Sequence, residues 1–250
     1  MGETMTRQLL IDLVSAALEC QPFVHAAWLE GADAAGRADA YSDIDVWADV
    51  DAGSEAQTFA CIRDVLLTLG PLDVDYDPVH PHPQLEQHFY RVAGTSPFWF
   101  VDMCLQQHGR ETVFPPHEPF KVLFDPSGVV QTTNVTDKAF VVGVVQALER
   151  AWWRRVLVLK EVERGRVLEA LGYYHKDVLV PLTQLLRLRY CPTKYDYGLK
   201  HLYADLPREA ALELEKLHTV VTLADLPAAL GRADALFQTT LAGLKYRNLK

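Results

Sequence analysis

Residues 31–50 read GADAAGRADAYSDIDVWADV, and two carboxylates stand one residue apart inside an otherwise apolar run. The segment "DIDVWADV" alternates in polarity and carries β-branched and aromatic residues, so it predicts a strand. Successive side chains of a strand point to opposite faces. Asp43 and Asp45 therefore share one face, about 7 Å apart along the chain, while Ile44 and Val46 face the other way. Carboxylates held this close repel unless a cation or a proton intervenes. Magnesium takes oxygen ligands and keeps positions open for phosphate oxygens and water, so the pair fits a metal platform for a nucleotide. Taken alone, an Asp-x-Asp pair more often describes an exposed edge strand with an acidic face.

The flanking sequence places this strand in a mixed α+β half. "TRQLLIDLVSAAL" has apolar residues at helical spacing, "FVHAAWLEG" reads as a short strand running into glycine, and "SEAQTFACIRDVLLTLG" reads as a helix between Ser54 and Gly70. "DPVHPHP" is a loop, because each proline removes a backbone donor. "FWFVDMCLQQ" and "FKVLFDPSG" predict further strands, the second ending in an Asp-Pro-Ser-Gly turn. After about Thr136 the period is helical for most of the length, with Gly172 and Pro181 expected to divide the long apolar run into separate helices. Two domains follow, 1–135 with a mixed sheet and flanking helices and 136–250 as an α-helical bundle, joined near "SGVVQTTNVTD".

The chain has 250 residues, 49% of them hydrophobic and 23% charged, which is the balance of a water-soluble globular protein. It has no apolar run long enough to span a bilayer and its N-terminus lacks a signal peptide's basic start and apolar stretch, so no membrane association and a cytoplasmic location are expected. A net charge of -9 with no compensating basic stripe argues against broad nucleic-acid binding and suits a neutral or cationic partner. Cys20, Cys61, Cys104 and Cys191 are scattered singly and read as small core residues in a reducing compartment. His80 and His82 have no further ligand at metal-site spacing, so a proline-stiffened loop is the better reading.

The 31–50 stretch resembles the nucleotidyltransferase superfamily typified by DNA polymerase beta, whose signature is an apolar residue, Gly-Ser, about ten residues, then Asp-apolar-Asp. The branch that modifies antibiotics shows the fuller pattern Gly-Ser-x-Ala-x-Gly-x-x-Asp-x-x-Ser-Asp-x-Asp, and Gly31, Ala34, Gly36, Asp39, Ser42, Asp43 and Asp45 fall at its positions. Ala32 stands where the family has serine, whose hydroxyl binds a donor phosphate. The resemblance therefore implies either weaker triphosphate binding or a relative that has lost activity. It also implies a third acid on a neighbouring strand, and Asp102 in "SPFWFVDMCLQQ" takes that place. "KVLFDPSG", "ALERAWWRRVLVLKEVERG" and "PTKYDYGLKHLYADLP" are similar to successive segments of aminoglycoside 6- and 3''-adenylyltransferases.

What the resemblance implies is Mg²⁺-dependent transfer of a nucleoside monophosphate, AMP from ATP, to a hydroxyl of a small molecule, with a cationic acceptor such as an aminoglycoside expected. Asp43, Asp45 and Asp102 are the expected ligands of two magnesium ions, with Asp102 also able to take the hydroxyl proton. Gly31, Ala32, Arg37 and Ser42 are the expected nucleotide contacts on the loop. In that family the helical half closes over the nucleotide and contributes a lysine, for which Lys194 is the first candidate and Lys200 the second; both also read as solvated surface lysines. Glu149 and Asp177 are weaker candidates for binding the acceptor. Trp152 and Trp153 read as core or cleft wall. An acceptor that is a protein or an unknown metabolite, and a nucleotide-binding relative without turnover, are the alternatives. Oligomeric state is not legible.

Overall fold

The computed structural model describes residues 5–114, 118–132 and 138–247. By their contacts the residues divide into two units, Met1–Val135 and Thr136–Lys250. The expected junction at 135/136 lies outside the described residues.

In the first unit, helix α1 (Arg7–Glu19) starts at Thr6, whose hydroxyl accepts from the Leu9 N–H and so satisfies one of the orphan donors of the first turn. Strand β1 (Val24–Leu29) follows, then the single turn α2 (Gly31–Ala34), strand β2 (Ile44–Val50) and helix α3 (Glu55–Leu67). Strands β3 (Leu72–Tyr76), β4 (Leu85–Val92) and β5 (Val101–Gln107) come next, then β6 (Thr112–Phe114), β7 (Lys121–Phe124) and β8 (Val130–Thr132). The main sheet runs β3-β4-β5-β2-β1-β7, and β6 pairs with β8. Only the β2–β5 neighbours of the main sheet are parallel; the other neighbouring strands pair antiparallel. The hairpin β3–β4 is not predicted by the sequence reading: "LDVDY" carries as many acids as it does aliphatic side chains, and its ends are fixed by pairing rather than by pattern.

Strand alternation gives the sheet two unlike faces. Ile44, Val46, Ala48 and Val50 of β2 join Val101, Met103 and Leu105 of β5 in a core covered by Leu10, Val14 and Leu18 of α1 and Ile62 and Leu66 of α3. The opposite face carries Asp45, Trp47 and Asp49 from β2, which lie between those core positions. There Trp28 stacks on Trp47 with ring centroids 6.0 Å apart, and Phe114 meets Trp28 edge-on.

The second unit is helical among its described residues: α4 (Lys138–Ala151), α5 (Val156–Glu163), α6 (Val167–Tyr174), α7 (Val180–Tyr190), α8 (Leu202–Asp205), α9 (Arg208–His218) and α10 (Leu226–Arg247). Trp152 is buried, stacked 3.8 Å from Phe237 and donating to Asp234 at 2.7 Å, whereas Trp153 is exposed. Gly172 does not divide the helices as expected; it lies inside α6. The break is at Gly165 instead, with φ +69°. There the Gly165 N–H donates to Val162 O and the Arg166 N–H to Glu161 O, a pattern that closes a helix end around a left-handed residue. Pro181 is carried at the start of α7 without a break. Its missing N–H is absorbed by a π-turn over His175–Leu179, where the Val180 N–H bonds back to His175 O.

Of the cysteines expected in the core, Cys104 is buried, Cys61 and Cys191 are half-buried and Cys20 is exposed. Cys20 caps the end of α1, where the chain turns out of the apolar face. No helix among the described residues is long and apolar enough to cross a membrane.

Candidate active site

The parallel pairing of β2 with β5 sets Asp45 directly opposite Asp102. Neighbouring strands lie about 4.8 Å apart, and paired residues project to the same face, so the two carboxylates stand side by side. Both are half-buried. Asp43 is the residue before β2 and is exposed; the ladder already reaches it, because the Ile44 N–H donates to Phe100 O at 2.8 Å. Asp102 Oδ1 accepts from Gln87 Nε2 at 2.7 Å, a contact from β4 that fixes one carboxylate oxygen.

Gly31 explains the start of the loop. Its φ is +61°, and a Cβ built there would lie 1.9 Å from Asp45 Oδ2. The backbone thus approaches the Asp45 carboxylate as closely as only glycine permits, and in a conformation that side chains disfavour. Ala32 is half-buried in the one-turn helix that follows, and its carbonyl accepts from the Arg37 N–H at 3.0 Å. The Arg37 residue itself is exposed.

Ser42, expected at the nucleotide, is engaged in the turn that delivers Asp43. Its hydroxyl accepts from the Asp39 N–H and donates to Asp39 Oδ1, each at 3.0 Å. The Tyr41 N–H also donates to Asp39 Oδ1 at 2.9 Å. This N–H first, and the Ser42 hydroxyl second, hold the Asp39 carboxyl below its ordinary value.

Arg7, from the first turn of α1, ties the loop to the strand. Its guanidinium donates to Asp33 Oδ2 at 2.5 Å, to Asp43 O at 2.7 Å and to Ser42 O. A sequence reading passes over Arg7, since nothing local marks an arginine 36 positions from its acceptor. Gln87 is missed for the same reason.

The sheet face that carries Asp45 and Trp47 also borders a cavity of about 200 Å³, lined by Trp28, Trp47, Gln106, Thr112, Phe114 and four charged residues, Glu30, Glu111, Glu118 and Arg110. Three carboxylates against one guanidinium give it a negative balance. The Trp28 indole donates to Glu30 Oε1 at 2.9 Å. Cys104, two residues along β5 from Asp102, is no nucleophile: burial first, then the charges of Asp102 and Glu30, push its thiol up to about 12.

The residues expected from the second unit are placed as follows. Lys194 Nζ donates to Asp205 Oδ1 at 2.8 Å, and the fully buried Arg187 donates to Asp205 Oδ2 at 2.9 Å. Burial pushes the Asp205 carboxyl up, but the Lys194 and Arg187 contacts outweigh it and leave it below the ordinary value. Lys200 is exposed, and its carbonyl accepts from Arg187. Asp177 is buried and accepts from Arg154 Nε at 2.7 Å, while its other oxygen has no hydrogen-bond partner. Glu149 is exposed on α4. Asp205 thus bridges Lys194 and Arg187, Arg187 also holds the Lys200 carbonyl, and Asp177 belongs to a separate contact with Arg154.

The strand register brings Asp45 and Asp102 together, with the Asp45 carboxylate packed against Gly31, while Asp43 stands exposed just before the strand; carboxylate oxygens are the donors that a hard divalent cation such as magnesium takes.

No family model matches the chain, and no curated protein matches it. Among solved structures it is similar to an aminoglycoside 6-adenyltransferase from Bacillus subtilis, at 14% identity and a TM-score of 0.42, over 97% of this chain and 91% of that one. It is also similar to JHP933 from Helicobacter pylori, at 10% identity and a TM-score of 0.29, over 97% of this chain and 95% of that one.

Proposed function

We propose that the protein is a nucleotidyltransferase that moves a nucleoside monophosphate, AMP from ATP, to a hydroxyl of a small cationic molecule of the aminoglycoside type. The observation that carries this reading is the Asp45–Asp102 pair across parallel strands, with Gly31 packed against the Asp45 carboxylate. Asp43, Asp45 and Asp102 would hold magnesium, which when bound neutralises donor phosphate charge and polarises the α-phosphorus. Asp102 accepts the proton of the acceptor hydroxyl as the new O–P bond forms and the bond to pyrophosphate breaks in line. Gln87 holds Asp102 oriented for that transfer, and Arg7 holds the 31–43 loop in register with β2. The rigidity of the strand matters, because ligands and base must be fixed before the reactants arrive. The acidic, tryptophan-walled cavity that Trp47 lines, two residues along β2 from Asp45, supports a cationic acceptor.

Mg²⁺-dependent pyrophosphate release from ATP, run against aminoglycosides and lincosamides, tests the reading. Release with one compound class names the acceptor, and release with none, while ATP still binds, removes the antibiotic acceptor. Ala32 favours a second reading, a nucleotide-binding protein without turnover. Ala32→Ser tests the missing hydroxyl: we expect ATP to bind several-fold more tightly, as one added hydrogen bond to a charged phosphate allows. Unchanged affinity would show that the missing hydroxyl has no bearing on the donor.

A further inference from the structure

We propose a second metal site, for zinc or a similar borderline transition ion, formed by His25, Asp49 and His108. One donor atom from each lies within 4.8 Å of those of the other two. A tetrahedral zinc ion holds ligand atoms about 3.3 Å apart, as follows from bonds of about 2.0–2.1 Å, so small side-chain rotations close the cluster around an ion. His108, 46% exposed in its side chain, would exchange its present contact with Asp49 Oδ1 for the ion in that rotation. This site is distinct from the carboxylates above. Asp49 lies four residues past Asp45 on β2, about 13 Å along the strand, with Trp47 between them.

Three strand ends converge to build it. Strand β1 has a bulge between Val24 and Ala26, so His25 is an extra residue in the ladder facing the end of β2; bulges of this kind re-aim a side chain. Asp49 pairs with Gln106 of β5. The parallel ladder then extends one step further, His108 N–H donating to Val50 O at 2.7 Å. The His25 and His108 rings stack with centroids 3.8 Å apart.

The Asp49 carboxylate anchors the cluster. It is fully buried, and a buried carboxylate is costly unless paired or bound to metal. Its Oδ2 is held by Gln106 Nε2 at 2.6 Å and its Oδ1 meets His108 Nδ1 at 2.5 Å. Gln106 is itself oriented by Thr112 and Arg110, which donate to its carbonyl at 2.8 and 2.9 Å. A second carboxylate, Asp51, contacts His25 Nε2 at 2.8 Å. Ligands locked by outer hydrogen bonds of this kind are what a metal centre requires. Two imidazoles and one carboxylate select zinc over magnesium or calcium, which prefer oxygen. The exposed side of His108 leaves room for water as a fourth ligand.

The test uses the full chain, stripped with chelator and then loaded with zinc in excess Mg²⁺, which occupies any all-oxygen site. We expect one zinc per chain to survive desalting and Co²⁺ in its place to give the visible absorption of a tetrahedral ion. His108→Gln and His25→Gln should each weaken binding at least tenfold, and Asp45→Asn should leave it unchanged. Circular dichroism checks that each variant is folded; should His108→Gln unfold, His25→Gln carries the comparison. The proposal is overturned if wild type retains no more zinc than the His25→Gln variant, which would leave Asp49–His108 a plain buried ion pair. It is equally overturned if Asp45→Asn removes the zinc.

Discussion

At Gly31 a single missing side chain decides whether the site exists. The left-handed backbone at φ +61° and the 1.9 Å approach to Asp45 Oδ2 act together. Gly31→Ala is therefore expected to cost at least the roughly 1–2 kcal/mol of a side chain in that conformation, and to displace Asp45. Urea denaturation measures the first effect and divalent-ion binding the second; a variant with unchanged ion affinity would mean that Asp45 is not a ligand. The place of Asp45 on a strand face and of Gly31 in a tight turn is legible in the sequence because strand alternation and turn chemistry are local. Ser42 is expected at the nucleotide from its residue type, and the structure adds a contact the sequence does not show, between its hydroxyl and Asp39. Arg7, Gln87 and the His25–Asp49–His108 cluster are invisible in the sequence, since only strand pairing and helix packing bring them to their partners.

Among the elements, the helices show how one residue type means different things at different backbone angles. Gly172 lies in a helix interior with nothing within 4 Å of an added Cβ, so Gly172→Ala should stabilise the fold by about 0.5–1 kcal/mol. Gly165→Ala, at φ +69°, should destabilise it by about 1 kcal/mol. Thermal or urea melts of the two variants should move in opposite directions, and a shift of the same sign would contradict the helix ends described here. The strand carrying Asp45 and the helices α1 and α3 follow from periodicity. The β3–β4 hairpin and the π-turn before Pro181 do not, because acidic edge strands and shifted helical ladders leave no hydrophobic period to read.

Over the whole molecule, each unit has its own apolar core, and the acid limb of stability is set by particular buried groups. Asp205 is held below its ordinary value of 3.8 in the fold. Its contribution is present above that unfolded value and lost as pH falls through the lower folded one. His218 is held below 6.5, first by burial and then by His175. For a histidine disfavoured as a cation, the unfolded chain takes up the proton first, so stability declines as pH falls from 6.5 toward the folded value. Urea midpoints should therefore drop from pH 7 to 5, and again below about pH 4 where carboxylates titrate. His218→Gln should flatten the first decline and Asp205→Asn the second; an unaltered profile would contradict these assignments.

The most direct measurement is Mn²⁺ binding in the presence of ATP, followed by electron paramagnetic resonance for wild type and Asp45→Asn. We expect Asp45→Asn to remain folded and to lose affinity at least tenfold, about 1.4 kcal/mol, because it removes one of the oxygens that the strand presents to the ion. Equal affinity in the two proteins would contradict the metal role of the Asp45–Asp102 pair and the nucleotidyl transfer proposed from it.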